Sequence, residues 1–187
     1  MVRRDISLVL ILVSAWGACK REPPPPPPPP VKRPVIDQKK FEPLYRSAKT
    51  TQASLSVGLT YAKFGELQQV FATEVSIGQD KASTPKEVEL VGLYRDALLT
   101  LQDSGVLWKG KVSSAGYDFI PAGRIFLESE QRAVVEKYQI ASKKHRGAGG
   151  AWDSVGEEAI QVLWAKAGEQ LDVANKLYYA EETVAAK

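Results

Sequence analysis

Apolar residues recur three and four positions apart from Pro43 onward, the spacing of a helix face. Leu44, Ala48, Thr51 and Leu55 form one stripe, and Val57, Tyr61, Phe64, Phe71 and Val75 form a second. Leu59, Ala62, Leu67 and Val70 widen the apolar surface, as in a helix with more than one neighbour. The pattern predicts a helix over 43–82, about 60 Å long, with a kink at Gly58 or Gly65. Thr84-Pro85-Lys86-Glu87 then has the form of a helix start, with a capping Thr, Pro at the first position and Glu at the third. The second helix, from Pro85 to Val112, aligns Val91, Tyr94, Leu98, Leu101, Gly105, Trp108 and Val112 along a seam. Gly105 within that seam predicts a close backbone approach, since Gly costs a helix about 1 kcal/mol against Ala.

Residues 113–127 interrupt the period with Gly116, Pro121 and Gly123. Tyr117 alternates with Phe119 and Arg124 with Phe126, which admits a short hairpin around Pro121-Ala122-Gly123. Ser129 predicts the cap of a short helix over 130–142, carrying Val134, Val135 and Tyr138. Lys143 to Gly150 reads as a loop, and Ser154-x-x-Glu157 as a second capping box. The last helix runs to Ala180, with Ile160, Leu163, Ala167, Ala174 and Leu177 on one seam and Trp164, Leu171 and Tyr178 beside it. No helix interior is expected to hold a proline. The predicted fold is an all-α, up-down bundle of three long helices and one short helix, with an irregular aromatic loop.

Composition changes the picture at the amino-terminal end. Eight of the 12 prolines are consecutive, Pro23 to Pro30, and the only Cys, Cys19, stands just before them. Ahead of it, Arg3 and Arg4 lead into the uncharged, largely apolar stretch Ile6–Ala18. In a helix that stretch reaches about 20 Å, short of the ~30 Å hydrocarbon core, so it reads as an export signal and not a transmembrane anchor. Trp16-Gly17-Ala18-Cys19 resembles the lipobox of bacterial lipoprotein precursors, with Trp16 where that pattern usually has Leu. The resemblance implies that Cys19 receives a diacylglycerol group, that cleavage occurs before it, and that the new amino terminus is acylated. Covalent lipid at Cys19 is then the attachment to membrane lipid. Lys20 occupies a position where, in enterobacterial lipoproteins, Asp signals inner-membrane retention; the absence of Asp there implies the outer membrane, where the envelope is Gram-negative and has one. Two other routes stay open: an ordinary signal-peptidase cut after Ala15-x-Gly17, and a twin-arginine signal at Arg3-Arg4.

The expected organisation is therefore an export signal over 1–18, a lipid-anchored Cys with a proline-rich linker over 19–40, and a bundle domain over 41–187. As polyproline II, Pro23–Pro30 spans about 25 Å and serves as a stiff spacer; a ligand for a proline-recognition groove is the alternative. Lys20, Arg21, Lys32, Arg33, Lys39 and Lys40 against Glu22 and Asp37 give the linker a net charge of about +4. The whole chain is +3, and Arg3, Arg4 and Asp5 contribute about +1, so residues 41–187 carry about −2. The acidic domain argues against nucleic acid as a partner. The basic linker suits either anionic headgroups or plain solvation.

Chemistry-bearing residues are few. One Cys excludes an internal disulfide and a Cys-based metal cluster, and one His excludes a multi-His metal site. No cofactor, metal ligand or catalytic residue is assigned. Gly147-Ala148-Gly149-Gly150 lacks the Walker Lys-Ser/Thr and reads as a flexible connection. His145 reads as an exposed loop residue with no carboxylate nearby to orient it. Glu157 with Glu158, and Glu169 with Asp172, are carboxylate pairs of the kind a glycoside hydrolase needs across a cleft. The candidate contact surface is Tyr117, Asp118, Phe119, Arg124 and Phe126, since aromatic and Arg side chains in a loop suit binding; closing the end of the bundle is their plainer role. The expectation is a structural, assembly or partner-binding protein of the cell envelope with an envelope protein as partner. A small-ligand sensing domain and a peptidoglycan hydrolase are the alternatives.

Overall fold

A computed structural model describes residues 31–147 and 150–184. The expected export signal over 1–18, Cys19 and the eight-proline run lie outside the described residues. Among these, the fold is mostly helical with small antiparallel strands, so the all-α expectation holds only in part. The elements are β1 (Val31–Pro34), α1 (Gln38–Val57), α2 (Tyr61–Lys81), α3 (Pro85–Ser114), β2 (Arg124–Phe126), α4 (Ser129–Lys137), β3 (Lys143–Gly147), β4 (Gly150–Gly156), α5 (Glu158–Tyr178) and β5 (Glu181–Val184).

The helix expected over 43–82 is two helices. Gly58 adopts φ 84°, a conformation that glycine reaches without a Cβ penalty, and the Thr60 hydroxyl caps α2 by accepting from the Lys63 amide at 3.2 Å. The break cuts Val57, the first residue of the second stripe, off from the rest and leaves it exposed at the end of α1, while α1 and α2 pack on each other and on the rest of the core. Phe41, Leu44, Ala48 and Thr51 are buried from α1; Phe64, Leu67, Phe71 and Val75 are buried from α2. Regular structure also starts earlier than the periodicity predicts, with Ile36 already in the core. Pro43 lies inside α1, contrary to the expectation of proline-free helix interiors; the amide it lacks would have reached back to Lys39, in the first turn.

α3 begins where the capping box predicts. The Thr84 hydroxyl accepts from the Glu87 amide and the Glu87 carboxylate accepts from the Thr84 amide. α3 and α5 are the central pair, and α2 flanks α3 while α1 flanks α5. Tyr94, Leu101 and Leu107 of α3 and Leu163, Ala167 and Leu171 of α5 are all buried in the one hydrophobic core. The α3 seam departs from expectation at its end: Val112 is exposed and Leu107 takes the buried position. Gly105 also differs, since a Cβ there would make ordinary contact with Phe64 at 3.4 Å. The close approach is at Gly110, where a Cβ would lie 2.9 Å from Gln131 Cγ.

Three expectations after residue 127 are corrected. α4 is capped by Glu128 without a side-chain hydrogen bond, and Ser129 is its first residue. The stretch expected as a loop from Lys143 contains β3, which pairs antiparallel with β4 in the register His145↔Trp152 and Lys143↔Ser154. Ser154 therefore lies in a strand, and Glu157 itself occupies the N-cap of α5, without a side-chain hydrogen bond. Residues 124–126 form a strand, but their partner is β4 and not the Tyr117–Phe119 segment. The three-stranded sheet has the order β2-β4-β3 and packs Ile125 and Val155 into the helical core. A second sheet joins β1 to β5.

Candidate contact surface on the small sheet

Strand alternation decides which side chains meet on the sheet's outer face. With Ile125 and Val155 directed inward, Arg124 and Phe126 of β2, Trp152 and Ser154 of β4, and Lys143 and His145 of β3 share the opposite face. The loop ahead of β2 folds over this face by successive turns, the Tyr117 amide donating to Ser114 and the Ile120 amide to Tyr117. Phe119 then meets Phe126 at 6.2 Å and Trp152 at 5.6 Å between ring centroids, both edge to face. Tyr117 lies against Phe119 at 5.4 Å. The His145 ring stacks on Trp152 at 4.0 Å with an interplanar angle of 11°.

The cluster is only partly covered. Phe119 is 56% exposed and Tyr117 50%, although both contact other rings. Asp118 is exposed beside them. Five rings thus form one surface, contributed by the loop and all three strands. Edge-to-face and stacked aromatic pairs contribute about 0.5–1.5 kcal/mol beyond their burial, enough to order an otherwise open loop.

Beneath the rings runs a line of polar contacts. Arg124 Nε donates to Ser154 Oγ at 3.0 Å, and Arg124 Nη2 donates to the Ser154 carbonyl at 2.9 Å. His145 Nε2 lies 2.7 Å from the same hydroxyl. Arg124 is therefore turned onto β4, where it positions the face, and the residue is half-buried. The expected exposed loop histidine is instead a half-buried strand residue. Ser154 is fully buried, its hydroxyl is shared with Arg124, and Asp153 is paired with Arg132 at 2.5 Å. The Ser154–His145 contact thus has neither an accessible hydroxyl nor that neighbouring carboxylate to orient the ring.

Of the expected contact residues, the structure brings Tyr117, Phe119, Arg124 and Phe126 together and leaves Asp118 at the rim. Trp152, His145 and Ser154 were missed by the sequence reading. Their signal was the alternation of Trp152 and Ser154 with Asp153 and Val155, next to a glycine-rich stretch of sequence.

Two open clefts of about 410 and 400 Å³ lie on either side of the Lys111–Glu157 ion pair. Trp108, Trp164, Glu158 and Gln161 line the first; Tyr117, Asp118 and Arg124 line the second. On α5, Asp172 accepts a hydrogen bond from Gln52 at 2.8 Å, and Glu169 is exposed. Among the described residues, no group of three or more His, Cys, Asp or Glu side chains is placed to hold a metal ion. No described helix is long and apolar enough to cross a membrane. Comparisons with protein-family models, curated proteins and solved structures find no match for this chain.

Proposed function

We propose that the protein is a bacterial envelope lipoprotein whose domain, an up-down helical bundle with an added small sheet, holds a partner protein at the outer face of that sheet. The observation that carries the partner-binding half is the half-exposed ring cluster of Tyr117, Phe119, Phe126, Trp152 and His145. Aromatic side chains dominate interface energetics because they bury large areas with few rotors to immobilise. A scaffold of core-packed strands beneath them limits the ordering cost of binding.

The lipobox-like Trp16-Gly17-Ala18-Cys19 supports the anchor, and the proline run after it supports a spacer between membrane and domain. Lys20 favours the outer membrane where the cell has one. Two acyl chains or more give stable attachment, at about 0.8 kcal/mol per buried methylene.

Each half has its own experiment. Cys19→Ala is expected to abolish acyl labelling and release the protein from membranes; a variant that still fractionates as wild type removes the anchor from the proposal. A photo-crosslinking side chain in place of Phe119 is expected to capture a discrete envelope protein in cells. The same probe at exposed Val57, far along the chain in α1, is the control. Equal capture from both positions overturns the assignment of this face.

A further inference from the structure

We propose that the free edge of β3 is a strand-addition site for an extended acidic segment of a partner protein. This rests on the partner-binding half of the proposed function and is independent of the lipid anchor. β3 ends its sheet, and among the described residues it pairs only with β4. The other edge presents backbone N–H and C=O groups that a further strand would satisfy.

The side chains on that edge select for charge. Lys143, Lys144 and Arg146 are all exposed, and none forms an ion pair with a described carboxylate. They form a basic strand on a domain that is otherwise acidic. Pairing β3 with β3 of a second copy would set like charges opposite one another, which is unfavourable. The same charges favour an acidic strand. The chain contains that combination once already: in the second sheet Lys32 faces Thr183 and lies 3.7 Å from Glu181, while Arg33 pairs in register with Glu182.

Selectivity beyond charge comes from the neighbouring rings. An added strand would project alternate side chains onto the outer face, next to His145 stacked on Trp152. Strand addition takes its affinity from main-chain hydrogen bonds and its specificity from such alternate contacts. A segment alternating Glu with an apolar residue meets both conditions, its apolar side chains on the rings and its carboxylates toward Lys144 and Arg146.

The test uses the full chain and a short synthetic peptide alternating Glu and Val, with binding read by calorimetry. The peptide is expected to bind, and the counterpart alternating Lys and Val is not. N-methylation of alternate amides, in either of the two registers, removes edge donors and keeps every charge; one register is expected to weaken binding at least tenfold. The double variant Lys144→Glu, Arg146→Glu is expected to weaken it at least tenfold too. Because the N-methyl peptides are tested on the unaltered protein, a folding defect in the variant does not blunt the test. No binding of the Glu–Val peptide, or equal binding of both N-methylated forms, overturns strand addition. Self-association of the chain that the double variant loses gives the edge to β5 of a second copy and also overturns the proposal. Capture of a partner at position 119 without peptide binding leaves the proposed function standing and rejects the edge site alone.

Discussion

Lys40 Nζ lies 2.8 Å from Glu87 Oε2 and joins the first turn of α1 to the capping box that opens α3. The same carboxylate oxygen accepts from the Ser83 amide and hydroxyl, both at 2.9 Å, and from the Thr84 amide at 3.1 Å. Lys40 belongs by composition to the basic linker, yet its ammonium is the cation that completes a buried cap within the fold.

Burial works against ionisation of Glu87, but the Lys40 ammonium and the Ser83 and Thr84 donors outweigh it and hold its pKa at about 2, down from 4.5. The folded-state value lies below the unfolded one. Its contribution is therefore fully present above pH 4.5 and is lost as the pH falls toward about 2. Glu87→Gln is expected to cost about 2 kcal/mol at neutral pH and to flatten the stability profile across that window. Denaturant titrations at neutral and acid pH measure both effects. An unchanged acid slope in the variant would assign it to other carboxylates.

Tyr94 is fully buried, and its hydroxyl donates to Asn175 Oδ1 at 2.9 Å across the α3–α5 interface. Burial raises the phenol above its ordinary range, so it remains a donor throughout the working pH range. Tyr94→Phe keeps the ring and its edge-on contact with Phe71 but leaves the Asn175 carbonyl without this donor. The expected loss is about 1–3 kcal/mol, the cost of an unsatisfied buried polar group. Adding Asn175→Leu removes the orphaned amide and is expected to recover part of it, read as non-additivity in a double-mutant cycle. Strict additivity would show that the pair is not coupled.

The long helices were legible because their signals are long or chemically specific. Thr84-Pro85-x-Glu87 marks one boundary with three independent residues, and the α5 seam repeats over five positions. Gly58 was legible as a weak point but not as a full break, because the apolar spacing runs on from Val57 to Tyr61 across it and hides the positive φ at Gly58 and the Thr60 cap that start a new helix. The strands were legible only at Arg124–Phe126, whose alternation reads as one arm of a hairpin with the wrong partner; Lys143–Gly147 offers no buried apolar residue to reveal its period. Ser154-x-x-Glu157 matched a capping box because motif spacing carries no information about the ladder that claims Ser154. The contact surface was half legible for the same reason, its loop aromatics standing out and their strand-borne partners hidden.

Two glycines on α3 separate packing from helix propensity. At Gly110 a Cβ would lie 2.9 Å from Gln131 Cγ and 3.1 Å from Ile125 Cγ2, where α4 and β2 meet the helix. Gly110→Ala gains about 1 kcal/mol of propensity but forces that junction apart, which costs about 1–3 kcal/mol; the net expectation is destabilisation. At Gly92 nothing lies within 4 Å of the same atom. Gly92→Ala is expected to raise stability by up to about 1 kcal/mol. Paired thermal melts decide it, and the same sign of shift in both variants would contradict the packing difference.

The β1–β5 ladder fixes where the chain ahead of residue 36 enters the helical fold. Val31–Pro34 pairs with Glu181–Val184, and behind it the Val35 amide donates to the Ala180 carbonyl at 2.9 Å. The next ties are stronger: Ile36 is buried, and the Tyr178 hydroxyl donates to the Gln38 carbonyl at 2.9 Å. A four-residue, two-stranded ladder is marginal by itself. Ending the chain after Ala180 is therefore expected to free β1 while changing global stability by no more than about 1 kcal/mol. Trypsin reports the difference, because Lys32–Arg33 is cleavable whereas Arg33–Pro34 is protected by its proline. Cleavage after Lys32 should accelerate at least about tenfold, following the open population of the strand. An unchanged rate would mean that β5 does not hold β1. A large fall in melting temperature would instead place the ladder inside the cooperative core, with β1 held as firmly as the helices.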